Sequence, residues 1–249
     1  MKRALLMILA VVPGLLLLGA CGSLGSYHRV TQGETLYSIS WHYGLDYRKV
    51  AAWNHISQPY VIHQGERLRI SPPAATSPIR QPVRQSMVKP KPASRPAPAR
   101  QASTPLQRLE NKLHGRRKIV WNWPAQGVVI RKFSTTGSKG IDIAGKKGAP
   151  VRAAAGGRVV YSGSGLPHYG KLIIIKHNDK YLSAYAHNSR LLVKEGVLIK
   201  GGQQIAVLGR SGTAVPRPML HFEIRADGAP VDPLHYLPTG KARGKLTSH

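Results

Sequence analysis

Residues 171–187 read KLIIIKHNDKYLSAYAH, and the fold turns on how this stretch is divided. KLIIIKH and YLSAYAH are two short strands, and Asn178-Asp179 between them is a hairpin signal. Further short strands lie on either side: RVVYSG at 158–163, QQIAVLG at 203–209, and LHFEI at 220–224, which turns at Asp227-Gly228. Glycines punctuate nearly every connection. Residues 119–240 are therefore predicted to form an all-β sandwich or open barrel rather than alternating βαβ units.

Within that region, TTGSKGIDIAGKKG at 135–148 places a carboxylate, Asp142, four residues after Ser138. Residues two apart on a strand share a face. Met219, His221 and Glu223 are thus predicted to point together into a cleft, with Tyr185 and His187 doing the same from their own strand. His168 sits in the loop GLPHYGK, and His177, just before the Asn-Asp pair, reads as a turn residue.

Upstream, residues 72–118 change character. Prolines recur at 72, 73, 78, 82, 90, 92, 96, 98 and 105, basic residues are frequent and Glu110 is the one acid. Nothing there can bury a core, so the segment reads as a disordered, extended basic linker able to span on the order of 100 Å. Residues 27–71 read instead as a small βααβ module. A strand at 27–30 is followed by the Gln32-Gly33 turn, and Thr35 caps a helix carrying Leu36, Ile39 and Tyr43. Gly44 stops that helix, a second runs from Tyr47 to Trp53, and GERLRI returns as a strand. Trp41 and Trp53 are expected in the core of this module.

The first twenty residues combine Lys2 and Arg3 with an apolar run, Ala4 to Leu18, too short for a comfortable membrane helix. They read as a signal peptide. The run ends in LLGAC, which places small residues before the single cysteine, Cys21, as in a bacterial lipobox, so residues 21–26 are expected to form a lipidated tether. Residues 241–249 form a basic tail. The chain carries 37 Lys plus Arg against 10 Asp plus Glu, a net charge of +27, which favours a polyanionic partner. An export signal puts nucleic acid out of reach and leaves peptidoglycan carboxylates and lipid headgroups.

Two resemblances follow. YHRVTQGETLYSIS, Asn54 and GERLRI resemble a LysM module along its whole length. WNWPAQGVV, KGIDIAGKKGAPVRAAAGGRVVYSG, YGKLIIIKHNDKYLSAYAHNS, GQQIAVLGRSGT and LHFEIRADGAPVDPLHYLP resemble a LytM-type, lysostaphin-like metallopeptidase domain. The whole chain is similar to the NlpD-type envelope lipoproteins.

The LysM resemblance implies binding to glycan strands of peptidoglycan through Gly33, Thr35, Leu36, Val61 and Ile62. The LytM resemblance implies a zinc site held by the His and Asp of H-x-x-x-D and the second His of H-x-H. Asp142 and His221 stand at two of those positions and His187 at the strand histidine, but Ser138 and Met219 replace the other two histidines. Catalytic zinc needs three protein ligands and an open water position. The expectation is therefore a degenerate domain without zinc or other cofactor, whose groove of Ser138, Asp142, Tyr185, His187, Met219, His221 and Glu223 binds a protein. The resemblance to outer-membrane lipoproteins facing the periplasm implies that this partner is an N-acetylmuramoyl-L-alanine amidase, activated during daughter-cell separation. Two other readings stand beside it: a zinc endopeptidase with an atypical site, helped by His168, and a structural tether between outer membrane and wall.

Overall fold

A computed structural model describes residues 25–73, 118–212 and 215–239. The expected signal peptide, the lipidation site Cys21, most of the linker and the basic tail lie outside the described residues.

The N-terminal module is βααβ. Strand β1 (Tyr27–Arg29) pairs antiparallel with β2 (Arg67–Arg69), and helices α1 (Leu36–Tyr43) and α2 (Tyr47–Trp53) lie between them in sequence. Local chemistry sets each boundary. Thr35 caps α1 by accepting from Ser38 N, while Ser38 Oγ accepts from Thr35 N, a reciprocal pair that satisfies two otherwise orphaned donors. Gly44 ends α1 at φ 68°, a left-handed conformation that suits glycine. Asp46 caps α2, and the Asn54 side chain at its far end donates to Val50 O and Arg69 O and accepts from Arg69 N. Val30, Leu36, Ile39, Val50, Ala51 and Leu68 form the core. Trp53 packs against that core, but Trp41 does not belong to it.

The C-terminal domain is all β: β3 (Val128–Arg131), β4 (Ile141–Ala144), β5 (Pro150–Arg152), β6 (Gly157–Gly163), β7 (Lys171–Lys176), β8 (Tyr181–Asn188), β9 (Arg190–Leu191), β10 (Leu198–Ile199), β11 (Gln204–Val207), β12 (Met219–Ala226) and β13 (Ala229–Val231). The large antiparallel sheet runs β10-β6-β7-β8-β12-β4-β3, with β13 pairing the far half of β12, and β5-β11-β9 form a small second sheet. The two sheets make the sandwich predicted from the strand pattern. Ile141, Ile143, Val159, Ile173, Ile175, Tyr185, Leu220, Phe222 and Ile224 pack from the large sheet against Val151, Ile205, Ala206 and Leu208.

The other face of the large sheet is also buried. Leu172 and Ile174 point there while Ile173 and Ile175 point into the sandwich, so β7 is apolar at four successive positions because both its faces are covered. Its covering comes from the N-terminal module. Trp41 and Tyr47 join Val160, Tyr161, Leu166, Leu172, Ile174, Leu182, Ala184 and Ala186 in one cluster. His177 is a buried residue rather than a simple turn residue. Its Nδ1 lies 2.8 Å from Gly156 O and its Nε2 2.7 Å from Ser183 Oγ, and burial pushes it down to about 4, only partly offset by the Gly156 carbonyl.

Candidate functional site

Strand pairing builds the site. In β12, His221 stands opposite Asp142 of β4 on one side and Ala186 of β8 on the other, so all three share the sheet face turned away from the sandwich core. His221 Nδ1 donates to Asp142 Oδ1 at 2.6 Å, and its Nε2 donates to Glu223 Oε1 at 3.1 Å. Glu223 is fully buried and also accepts from Tyr169 Oη at 2.8 Å and from Arg225 Nε and Nη2 at 3.3 Å. Arg131 Nε approaches Asp142 Oδ2 to 2.9 Å as an ion contact, without the alignment of a hydrogen bond, which leaves that buried oxygen without a bonded donor.

The electrostatics follow from this packing. Burial opposes a charge on His221, but the hydrogen bonds to Asp142 and Glu223 outweigh it and raise the imidazole to about 9. Burial likewise opposes charge on the two carboxylates, yet the His221 contacts hold both below the usual carboxylate range, with Arg225 helping Glu223 and Arg131 helping Asp142. At neutral pH the site is an imidazolium clamped between two carboxylates, continued by a buried guanidinium.

The side chains at the expected ligand positions bear on whether zinc fits. His221 can offer a ring nitrogen to a metal only by giving up its hydrogen bond to Asp142 or to Glu223. Ser138 Oγ donates to Gly140 O at 2.9 Å and is tied into its own turn. Met219 is buried and contributes a thioether. His187 Nδ1 bonds Ser211 O at 2.9 Å, and its ring lies 6.0 Å from that of His221. Among the described residues no group of three or more His, Cys, Asp or Glu side chains is placed to hold a metal, and His168, exposed on the loop before β7 at φ 70°, completes none. At the four expected positions the described residues supply two zinc-ligating side chains, Asp142 and His221, one fewer than the three protein ligands of a catalytic zinc.

One expected groove residue lies elsewhere. Tyr185 pairs with Phe222, faces the sandwich core and is fully buried, its Oη accepting from Ala154 N at 2.8 Å. His187 nevertheless reaches the His221 face. It adopts φ 66°, and the β7–β8 register shifts between Lys171 and Ile173, so the two-residue alternation breaks between Tyr185 and His187. Asp142 pairs directly with His221, Met219 and Glu223 flank it two residues away on β12, and Ser138 lies in the turn before β4, bonded to Gly140 O. Tyr169, Arg131 and Arg225 join the site without having been anticipated. Arg225 had a signal, since it falls two and four residues after Glu223 and His221 on one strand face. Tyr169 arrives from a loop and had none.

The expected glycan residues also divide. Gly33 lies in an exposed turn at φ 78°, and Val61 is 59% exposed. Ile62 packs partly against the module core. Leu36 is fully buried there, because the first turn of α1 directs it inward, and cannot face a glycan. The Thr35 hydroxyl caps α1 and donates to Val160 O of the C-terminal domain at 3.2 Å.

Comparison with known proteins agrees with these two units. Residues 28–71 match the LysM domain and residues 136–233 match Peptidase family M23. The chain is 47% identical to the lipoprotein NlpD/LppB homolog of Pseudomonas aeruginosa, over 84% of this chain and 76% of that protein. It is 38% identical to the uncharacterized lipoprotein YgeR of Escherichia coli, over 98% and 97% respectively. It is 39% identical to the murein hydrolase activator NlpD of Escherichia coli, over 86% and 68%. Similarity of this level across both modules means that the chain belongs to the NlpD/LppB family of lipoproteins, with a LysM domain followed by a domain of peptidase family M23.

Proposed function

We propose that this chain is a non-catalytic outer-membrane lipoprotein, facing the periplasm, that binds peptidoglycan through its LysM module and activates a periplasmic N-acetylmuramoyl-L-alanine amidase during septal wall splitting. The observation that carries the non-catalytic reading is the pair Ser138, whose hydroxyl is tied to Gly140 O, and Met219, a buried thioether, at two positions where a catalytic site carries histidines, which leaves Asp142 and His221 as the remaining ligand positions. A hydrolytic zinc must polarise a carbonyl and activate a water. A hydroxyl tied into its own turn and a buried thioether supply neither a third ligand nor a proton acceptor for that task, while the hydrogen bonds of His221 to Asp142 and Glu223 hold the groove in one shape. The relatives named as murein hydrolase activators support the activating role, and the LysM match supports peptidoglycan as the anchoring surface.

Activation is assigned to the groove around Asp142, His187, Met219, His221 and Glu223, bordered by Ser138. The test is dye release from labelled sacculi by a cognate amidase. Met219→Glu and His221→Glu are expected to abolish stimulation, with circular dichroism confirming the fold, because a few anchoring side chains carry about 2 kcal/mol or more of such an interface. Charge changes in the 72–118 linker are expected to leave stimulation nearly intact. Full stimulation by both groove variants places the activating surface elsewhere.

A further inference from the structure

The sheet face that carries His221 continues past Glu223 into an apolar field made by Val160, Leu172, Ile174, Leu182, Ala184 and Ala186. The LysM module lies on that field. Trp41 and Tyr47 are each only 3% exposed, and neither belongs to the module's own core; they are buried in this contact, with Tyr37 and Tyr60 of the module also packing on Tyr47. The Arg225 guanidinium stacks on the Trp41 ring at 3.7 Å and its Nη1 donates to Trp41 O at 3.0 Å. Arg48 Nη2 reaches Asp227 Oδ1 at 2.8 Å, and the Thr35 hydroxyl reaches Val160 O. At Gly228 the backbones approach so closely that a Cβ there would stand 2.6 Å from Asp46 Cα. The guanidinium that receives Trp41 is the same one that pairs with Glu223, so the docking surface and the His221 site are one continuous structure.

We propose that the LysM module is a cap, held in cis, on the M23 groove. Docked, it covers the part of the sheet face adjoining His221 and Glu223, and a protein that engages the groove displaces it. The proposal rests on the reading of that groove as the activating surface. Because cap and groove share one chain, few contacts are needed for occupancy, and their loss shifts the equilibrium toward the open groove. The Thr35 hydroxyl, adjacent to the exposed Gly33 turn of the expected glycan loop, is bonded to Val160 O only in the docked state.

The test separates capping from activation. The full chain with Cys21→Ser and Val160→Cys has one thiol, placed on β6 beneath the module. Its maleimide labelling rate is measured with Trp41 intact, with Trp41→Glu and with Trp41→Ala. Both Trp41 changes leave the module's own core untouched and are expected to speed labelling by about tenfold or more, as a weakened dock equilibrates open. The same variants without the Val160 change are then compared for stimulation of a purified amidase on labelled sacculi at sub-saturating concentration, with an increase of several-fold expected. Unchanged labelling in both Trp41 variants overturns the cap directly. Faster labelling with unchanged or lower stimulation, while His221→Glu still abolishes it, overturns the cap as a control and leaves the groove reading standing. If no form stimulates the amidase, the groove reading fails and the control role falls with it, while the labelling rates still report whether the module docks.

Discussion

Replacing Glu223 by leucine removes one carboxylate from a fully buried site and leaves two cations behind. Arg225, itself 1% exposed, loses both hydrogen bonds to Oε2 and keeps only Trp41 O and the Trp41 ring. His221 keeps Asp142 but loses the acceptor at Nε2, and the Tyr169 hydroxyl loses its acceptor as well. Breaking a buried ion pair from one side costs about 3–5 kcal/mol, because a desolvated charge is left uncompensated. In a domain of this size that corresponds to a fall in Tm on the order of 10–20 °C. Removing both partners with Glu223→Leu and Arg225→Leu together should cost less than the two single changes added, by about 2 kcal/mol, since neither charge is then left behind. Thermal and urea unfolding of the four proteins of this cycle measure both quantities. A Glu223→Leu protein within about 1 kcal/mol of the parent, or single effects that simply add, refutes the view that these charges form one interdependent network.

Stability should also fall on acidification through the window set by His177. Its ordinary value of 6.5 is pushed down to about 4 by burial, so the unfolded chain takes up a proton before the folded one does. The contribution is fully present above pH 6.5 and is lost as pH falls from there through about 4, up to roughly 3 kcal/mol. Urea midpoints between pH 7.5 and 4 should show this slope, and His177→Gln should flatten it. In the LysM module, Asn54→Ala removes two donated bonds and the acceptor for Arg69 N, which ties the end of α2 to β2. A loss of about 1–3 kcal/mol in module stability is expected, with weaker pelleting on sacculi, and unchanged hydrogen exchange at β2 counts against it.

The hairpin at 171–187 and the sandwich were legible because turn residues and strand runs are local signals. The pairing of His221 with Asp142 was less so, since it depends on the register of β12 with β4 across 79 residues of sequence. Period-2 spacing puts Tyr185 on the face of His187 only if the strand is unbroken, and the positive φ at His187 breaks it where the two residues part company. For Trp41, helical spacing reports that the residue is buried, not by what. Its actual neighbours lie on a sheet more than a hundred residues away, reached through a linker whose sequence carries no docking information. Leu36 illustrates the converse: a position carried over from a family motif turned out to face inward.

A groove that acts without hydrolytic zinc of its own is tested by peptidoglycan hydrolysis by the purified chain alone, across added zinc and added chelator, against the same chain with an amidase present. The expected result is no release of labelled fragments by the chain alone under any metal condition, no stoichiometric zinc by elemental analysis, and release with amidase that His221→Glu abolishes. Hydrolysis by the chain alone that rises with zinc and disappears with chelator contradicts it.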